Sequence, residues 1–414
     1  MIIEKNNIDV PANLDDVFFK DVLEDGLREG NITVHEIQFT LGCAGGDNYC
    51  SNIYRAVVKF SRPGKSVENL SVIIKSMPIN EHNDFLEGIN AFIREKVIYF
   101  DIIPRLEVLL SGIKFGAKCY YALSRPVKTI VFEDLKTFGF VNGDRSEGLD
   151  EEHCRLILTK LGKFHASSMV LAERQPSVMD HFPTGIFAPA IINCPAFDNI
   201  FITNLDFLST HVVSNWPGYE TIAEKLRNIL PDLRQRCLDI AAPRDDEVKV
   251  LNHGDLWVNN FMFKYDKERN KPYDAAFLDF QMSYFSSPGF DLNYFLNTSL
   301  KLDILKEKRE QLLRIYHQSL ESTLNGFGYQ TIPTFNDIKN EVHKKEFFGF
   351  VTSFSVFPLV AMDKSESTDN SFETLADEES CMHSVRQTIF EKNKINKTIR
   401  QKTFVTSFAR KEAS

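Results

Sequence analysis

The sequence has no run of apolar residues long enough to cross a membrane. Its most apolar stretch, Phe347 to Met362, is interrupted by Thr352, Ser353 and Ser355, whereas a span needs about 20 predominantly apolar residues. Membrane partners are therefore not expected. An apolar leader is lacking too: Met1 to Asp16 mixes Glu4, Lys5, Asn6, Asn7 and Asp9 with short apolar pairs, so no signal peptide is expected. Cysteines are sparse and widely spaced, at positions 43, 50, 119, 154, 194, 237 and 381, and none forms a CxxC pair. That excludes a zinc ribbon, a thioredoxin-like site and a secreted disulfide scaffold, and favours a reducing, cytoplasmic compartment. Basic charge is short, with 48 Lys and Arg against 57 Asp and Glu and a net charge of −9. Nucleic-acid binding needs a basic face, so no nucleic-acid partner is expected.

What is present is core-forming material. The 414 residues are 43% hydrophobic and include 35 Phe and 12 Tyr, which excludes intrinsic disorder and supports a sizeable core without disulfides or metal. Such a length suggests two or three domains. The pattern of elements suggests an α+β chain with one division near residue 134. On the N-terminal side, residues 14 to 29 read as a helix capped by Asn13. Strand-like runs follow at Val34 to Phe39, Ile53 to Phe60, Leu70 to Lys75, Cys119 to Ser124 and Lys128 to Phe132. A long helix lies between them, Asp84 to Ile103, with Pro104 as its stop. Beyond residue 134 helical periodicity dominates, at 151–173, 217–241, 289–325 and 334–350. Short β-like runs interrupt it at Val248 to Leu251, Phe261 to Tyr265 and Ala275 to Phe280. An acidic stretch, 363–381, precedes a basic tail, 382–414.

The most informative run is Leu251-Asn252-His253-Gly254-Asp255-Leu256-Trp257-Val258-Asn259-Asn260, followed by Leu278-Asp279-Phe280-Gln281. Strands lead into and out of a His-Gly-Asp turn, and an Asp inside an apolar run is costly unless it is hydrogen-bonded or holds a cation. Phosphoryl transfer needs these groups. One carboxylate faces the attacking hydroxyl, while an amide oxygen and a second carboxylate hold Mg²⁺, a hard cation that prefers oxygen ligands. The spacing His-x-Asp-x4-Asn with a later Asp is that of the protein-kinase template. Asp255 is thus the candidate catalytic base, and Asn260 and Asp279 are the candidate metal ligands. Lys75 ends an apolar strand from which it can reach α- and β-phosphates, and Glu95 on the following helix can pair with it. Arg94 and Lys96 flank Glu95, so helix register decides which charge points inward. The glycine-rich turn Gly42 to Asn48 is placed to cover phosphates with backbone N–H groups, which makes Gly46 and Asn48 cofactor-binding candidates, and Ser51 is a further candidate phosphate donor. The join Phe132-Glu133-Asp134-Leu135 can meet an adenine edge through the backbone of Glu133 and Leu135. Asp291 is expected to brace the catalytic loop, and His165 to be a satisfied core histidine.

These motifs resemble the choline kinase and aminoglycoside phosphotransferase superfamily. More narrowly, the chain resembles the insect ecdysteroid kinase-like family, over about residues 30 to 360. The residues that carry this are Gly46-Asp-Asn-Tyr-Cys-Ser51, Phe92/Glu95/Tyr99, Phe132-Glu-Asp-Leu135, His253 to Asn260, Leu278 to Gln281 and Ser287-Pro-Gly-Phe-Asp-Leu292. The resemblance implies a bilobal protein-kinase-like fold. Its N-terminal lobe, 1–134, would be a small antiparallel sheet with one long helix, and its C-terminal lobe, 135–414, larger and mainly helical. It implies ATP and Mg²⁺ as cofactors and a small-molecule alcohol as acceptor. It also implies that Lys75 binds phosphate, Glu95 holds Lys75, Asp255 is the base, and Asn260 and Asp279 bind metal. Asn252 departs from the family, where an apolar residue commonly precedes the His.

A protein kinase carries a long activation segment and an Ala-Pro-Glu. Here Asp279 and Asp291 are close in sequence and Ala-Pro-Glu is absent, so a small acceptor is expected. Aromatic residues at 182–219 and 347–357 serve the core, and a subset is expected to line an apolar acceptor pocket suited to an ecdysteroid or similar alcohol. Choline or a xenobiotic alcohol is the alternative acceptor. A non-catalytic ligand-binding protein on a kinase scaffold is the alternative of another class.

Overall fold

The computed structural model describes residues 2–4, 8–42, 51–77, 87–144, 148–266 and 268–360. Gly46 and Asn48 lie outside these residues, as do the acidic stretch and the basic tail.

The N-terminal lobe is a six-stranded sheet in the order β1-β2-β3-β4-β6-β5. Its strands are β1 (Ile2–Glu4), β2 (Thr33–Leu41), β3 (Asn52–Ser61), β4 (Val67–Ser76), β5 (Cys119–Leu123) and β6 (Thr129–Glu133). All neighbours are antiparallel except β1, which joins β2 in parallel at the edge. The expected antiparallel sheet thus gains one short parallel strand. Alternation along the strands separates two faces. Tyr54, Ala56, Val58 and Phe60 of β3 and Val72 and Ile74 of β4 are buried in a core with Phe18, Phe19 and Val22 of helix α1 (Asp16–Leu27). A fully buried Phe or Val of this kind contributes about 1.5–3 kcal/mol. The intervening residues, Ile53, Arg55, Ile73 and Lys75, therefore take the opposite face. Helix α1 is capped by Asp15, which accepts from the Phe18 N–H at 2.9 Å, and not by Asn13.

The long helix does not stop at Pro104. Helix α2 (Ala91–Val97) passes through a π-helical turn, Ile98–Ile102, into α3 (Ile103–Leu109). Proline brings no N–H, and it is tolerated in the first turn of a helical segment, where N–H groups lack partners anyway. The π turn lets Pro104 occupy such a place.

The C-terminal lobe is built on α4 (Glu151–Arg174), capped by Asp150 and buried along one face. It lies against the long helix Leu302–Gly326. A Cβ on Gly162 would sit 2.7 Å from the Tyr316 carbonyl oxygen, so glycine permits that close approach. The helix expected at 289–325 is two helices, Gly289–Thr298 and Leu302–Gly326. Two small sheets decorate the lobe: β7 (Val141–Asn142), β9 (Phe261–Tyr265) and β10 (Pro272–Phe277) in the order β10-β9-β7, and β8 (Val250–Asn252) paired with β11 (Tyr284–Ser286). The strand expected to reach Phe280 ends at Phe277, because Asp279 turns to φ +60°. One continuous core joins this lobe to α2, α3 and Phe132 of β6. No helix among the described residues is long and apolar enough to cross a membrane.

Candidate active site

A cleft of about 180 Å³ lies where the sheet lobe meets the helical lobe. Its roof is the face that the strand period left outside the α1 core: Ile53, Arg55, Ile73 and Lys75. Its apolar lining continues with Phe132, Leu135, Met262 and Leu278, and its polar end holds Glu95, Asn260 and Asp279.

Lys75 is buried and bridges both lobes. Its Nζ lies 2.8 and 2.9 Å from the Glu95 carboxylate, 2.7 Å from Asp279 Oδ1 and 3.3 Å from Gln281 Oε1. Burial alone would lower its pKa. The carboxylates of Asp279 and Glu95 outweigh burial and hold the ammonium above its ordinary value. The helix register that sequence left open is settled here: Glu95 meets Lys75, and Arg94 is also buried, on a different set of partners. Arg94 donates to the Thr184 carbonyl at 2.6 Å and to the Ser283 carbonyl at 3.4 Å, which staples α2 to the C-terminal lobe. Burial without a carboxylate partner pulls its guanidinium down to about 10.

The catalytic-loop candidate leaves β8 through Gly254, at φ +85°. Asp291 braces it: one carboxylate oxygen accepts the His253 N–H at 2.7 Å and the other the Gly254 N–H at 2.9 Å. His165 is buried and lies 3.2 Å from Asp291 and 2.8 Å from the Tyr316 hydroxyl, so it is part of this brace and not a base. His253 ties the loop to the Asp279 segment. The Leu278 carbonyl can only accept, so His253 Nε2 donates to it at 2.8 Å, and Nδ1 accepts the Asp255 N–H at 3.3 Å. Burial first, against the opposing charge of Asp291, lowers the His253 pKa, in keeping with this neutral tautomer. Asn252 has a role of its own where the family commonly carries an apolar residue. Its amide accepts the Asp291 N–H at 3.3 Å and donates to the Ser286 carbonyl at 3.2 Å, closing the β8–β11 pair.

A Cβ at residue 254 would lie 2.1 Å from the Met282 carbonyl oxygen. Gly254→Ala is therefore expected to destabilise the protein by more than the ~1–3 kcal/mol of a strained φ alone. It should abolish ligand-dependent activity in whatever folds. Wild-type melting temperature and turnover in this variant would remove the argument.

Asp255 and Asn260 meet beyond this turn. Asn260 Nδ2 donates to the Asp255 carboxylate and to its backbone carbonyl, both at 2.9 Å. The Tyr294 hydroxyl donates to Asp255 Oδ1 at 2.5 Å. Burial, then the charge of Asp279, pushes the Asp255 carboxyl up to about 6, against hydrogen bonds that pull it down. With the Asn260 amide nitrogen engaged, its amide oxygen is the atom left for a cation. Asp279 keeps one carboxylate oxygen beyond the one facing Lys75. The donor set is all hard oxygen and fits Mg²⁺, which typically takes one or two carboxylates plus phosphates and water. Among the described residues no group of three or more His, Cys, Asp or Glu forms a further metal cluster.

The join between lobes is firmer than sequence suggested. Asp134 accepts from Arg55 Nε at 2.7 Å and from the Ser71 hydroxyl at 2.8 Å, so the linker is clasped to β3 and β4. Glu133 has its side chain on Lys114 and its N–H on the Lys118 carbonyl, the latter at 2.8 Å. Its side chain is therefore committed within the protein. Ser51 is half-buried just before β3, and the described cleft wall at that edge is formed by Gly42 and Ile53. Sequence reasoning missed Arg55, Gln281 and Tyr294. Gln281 was visible as the end of Asp-Phe-Gln, and Tyr294 lies one helical turn after Asp291. Nothing local marked Arg55.

The sequence model of the ecdysteroid kinase-like family matches residues 45–329, more than half of the chain and all of this cleft's Lys, Glu, Asp and Asn residues. The chain belongs to the ecdysteroid kinase-like family. By that membership it is a phosphotransferase. No curated protein matches the sequence. Among solved structures, it is similar to a spectinomycin phosphotransferase in complex with ADP and spectinomycin, at 12% identity and TM-score 0.43, covering 95% of this chain and 99% of that one. It is also similar to a microcompartment-associated aminopropanol kinase, at 10% identity and TM-score 0.38, covering 96% and 98%. A glucosamine kinase with glucosamine, ADP and inorganic phosphate follows at 12% identity and TM-score 0.34, covering 82% and 94%. Family membership rests on the sequence match and not on these likenesses.

Proposed function

We propose that this family member is an ATP- and Mg²⁺-dependent kinase that phosphorylates the hydroxyl of an ecdysteroid or a similar hydrophobic alcohol in the cytoplasm. The observation that carries the reading is the convergence of Lys75, Glu95, Asn260 and Asp279 on one interlobe cleft, with Asp255 hydrogen-bonded to Asn260 beside it. In this reading the apolar slot between Ile53, Phe132, Leu135 and Met262 takes the adenine. The Leu135 N–H and the Glu133 carbonyl meet its edge. Lys75, kept cationic by its two carboxylates, holds the α- and β-phosphates under the glycine-rich turn of Gly46, Asn48 and Ser51. Asn260 and Asp279 would hold Mg²⁺, which supplies neutralisation of charge on the phosphates. Asp255 orients the acceptor hydroxyl and takes its proton as the oxygen attacks the γ-phosphorus in line, breaking the bond to the β–γ bridging oxygen and releasing ADP.

The acceptor is the finer step. Phe182, Phe187, Phe197, Phe201 and Phe207 are almost wholly buried against other core residues, so these rings are core, and the ecdysteroid reading rests on family membership. The deciding experiment incubates the purified chain with Mg·ATP and a panel of ecdysteroids, choline and plant alcohols. The expected result is ADP formation and a phosphorylated product with an ecdysteroid, lost on adding EDTA and restored by excess Mg²⁺. Turnover of choline alone would move the acceptor class. Mg·ATP binding by thermal shift with no turnover of any alcohol would replace the kinase with a ligand-binding protein on this scaffold.

A further inference from the structure

The base proposed above hangs from a glycine turn, and something must fix its carboxylate plane for a hydroxyl to approach a lone pair. Asn260 fixes one side, through Oδ2. The other oxygen is held from a separate element, the helix Gly289–Thr298. Residues three apart on a helix share a face, and here they share a task. Asp291 grips the loop backbone at His253 and Gly254, and Tyr294, one turn on, reaches Asp255 Oδ1 at 2.5 Å. Tyr294 is 4% exposed, and its ring packs beside Phe348 with centroids 5.9 Å apart. Among the described residues its hydroxyl has no other partner. A phenol O–H buried this deeply needs an acceptor, and a short bond to a carboxylate is the strong, charge-assisted kind.

We propose that Tyr294 is a positioning residue for phosphoryl transfer, clamping Asp255 Oδ1 so that the carboxylate presents a fixed edge to the acceptor hydroxyl. Helix Gly289–Thr298 then sets both the loop backbone, through Asp291, and the base side chain, through Tyr294. The inference rests on the reading of Asp255 as base.

The test is a double-mutant cycle of Tyr294→Phe with Asp255→Asn, read with the acceptor that the panel identifies. Phe keeps the ring packing and deletes only the hydroxyl. In the wild-type background Y294F is expected to lower kcat about ten- to a hundredfold, the size of a hydrogen bond to a charged group. KM for ATP and the melting temperature should stay unchanged. In the D255N background the same substitution should cost almost nothing, because the group it positions is already disabled. An equal cost in both backgrounds overturns the proposal, as does an effect confined to KM for the acceptor, which would make Tyr294 a substrate contact. Failure of Y294F to fold overturns it too, since a positioning hydroxyl is dispensable for the fold. If D255N itself retains full turnover, the assignment of the base fails, and that outcome is separate from any result on Tyr294.

Discussion

Asp255→Asn is expected to lower kcat by about 10²–10⁴-fold, the usual contribution of a positioned acid–base group. Melting temperature at pH 7.5 should be unchanged or higher. The two halves of this result have different causes. The loop backbone does not depend on the Asp255 charge, because Asp291, His253 and the Asn260 amide hold it. An amide at 255 still offers an oxygen to Tyr294, although its nitrogen then faces the Asn260 amide nitrogen and that hydrogen bond is lost. Removing the charge also removes a cost. The fold raises this carboxyl to about 6, through burial and then through Asp279. An acid whose pKa is raised on folding favours its neutral form in the native state. Ionisation above that value therefore works against stability, and the neutral amide is free of the penalty. Loss of activity with a gain or no change in stability marks a functional site, where stability and activity trade off. Full turnover in D255N, or a large fall in melting temperature, contradicts this account.

Lys75→Met is expected to have the second large effect, and on both quantities. Nucleotide affinity and turnover should collapse, since among the described residues the ammonium is the one side-chain cation that both carboxylates at the polar end of the cleft contact. Stability should fall by about 3–5 kcal/mol, the cost of stranding one member of a buried ion pair. Glu95 is 1% exposed, and burial raises its carboxyl to about 7 even against the opposing charge of Lys75, so loss of Lys75 strands a group that has no other counter-charge in contact among the described residues. The double variant Lys75→Met with Glu95→Gln separates the two effects. Removing the stranded carboxylate should recover most of the melting temperature and none of the activity. Recovery of neither would mean that Lys75 supports the fold in another way. Retained ATP affinity in the single variant would remove Lys75 from the phosphate site.

The chemistry was legible because it is local. His253, Asp255 and Asn260 sit on one turn with fixed offsets, and Asp279 follows two residues after the return strand. Strand period alone puts Lys75 opposite Val72 and Ile74 on β4; that Arg55 shares its face is set by the β3–β4 register, which only the fold supplies. Less was legible where the partner is distant. Arg94 and Glu95 are adjacent charges on one helix, and only the packing of α2 against Thr184 and Ser283 decides that both are buried, and on which partners. The stop at Pro104 failed for a related reason: a π turn ahead of the proline is stabilised by the core around Ile98, Tyr99 and Ile102, a tertiary effect that overrides propensity. The aromatic stretches at 182–219 and 347–357 show the same limit. Burial is readable from composition, but which ring faces a cleft is not.

What the sequence by itself determined is the inventory of polar residues and its order, Lys75, Glu95, Asp255, Asn260 and Asp279, on an α+β chain. Local spacing suffices for that, since each motif is set by neighbours along the chain. What only the tertiary structure decided is how those groups are held. Asp134 clasps Arg55 and Ser71, Asp291 grips the catalytic turn, and Tyr294 reaches Asp255. Each is a hydrogen bond across dozens of residues, and its geometry exists only once the lobe that holds it is packed.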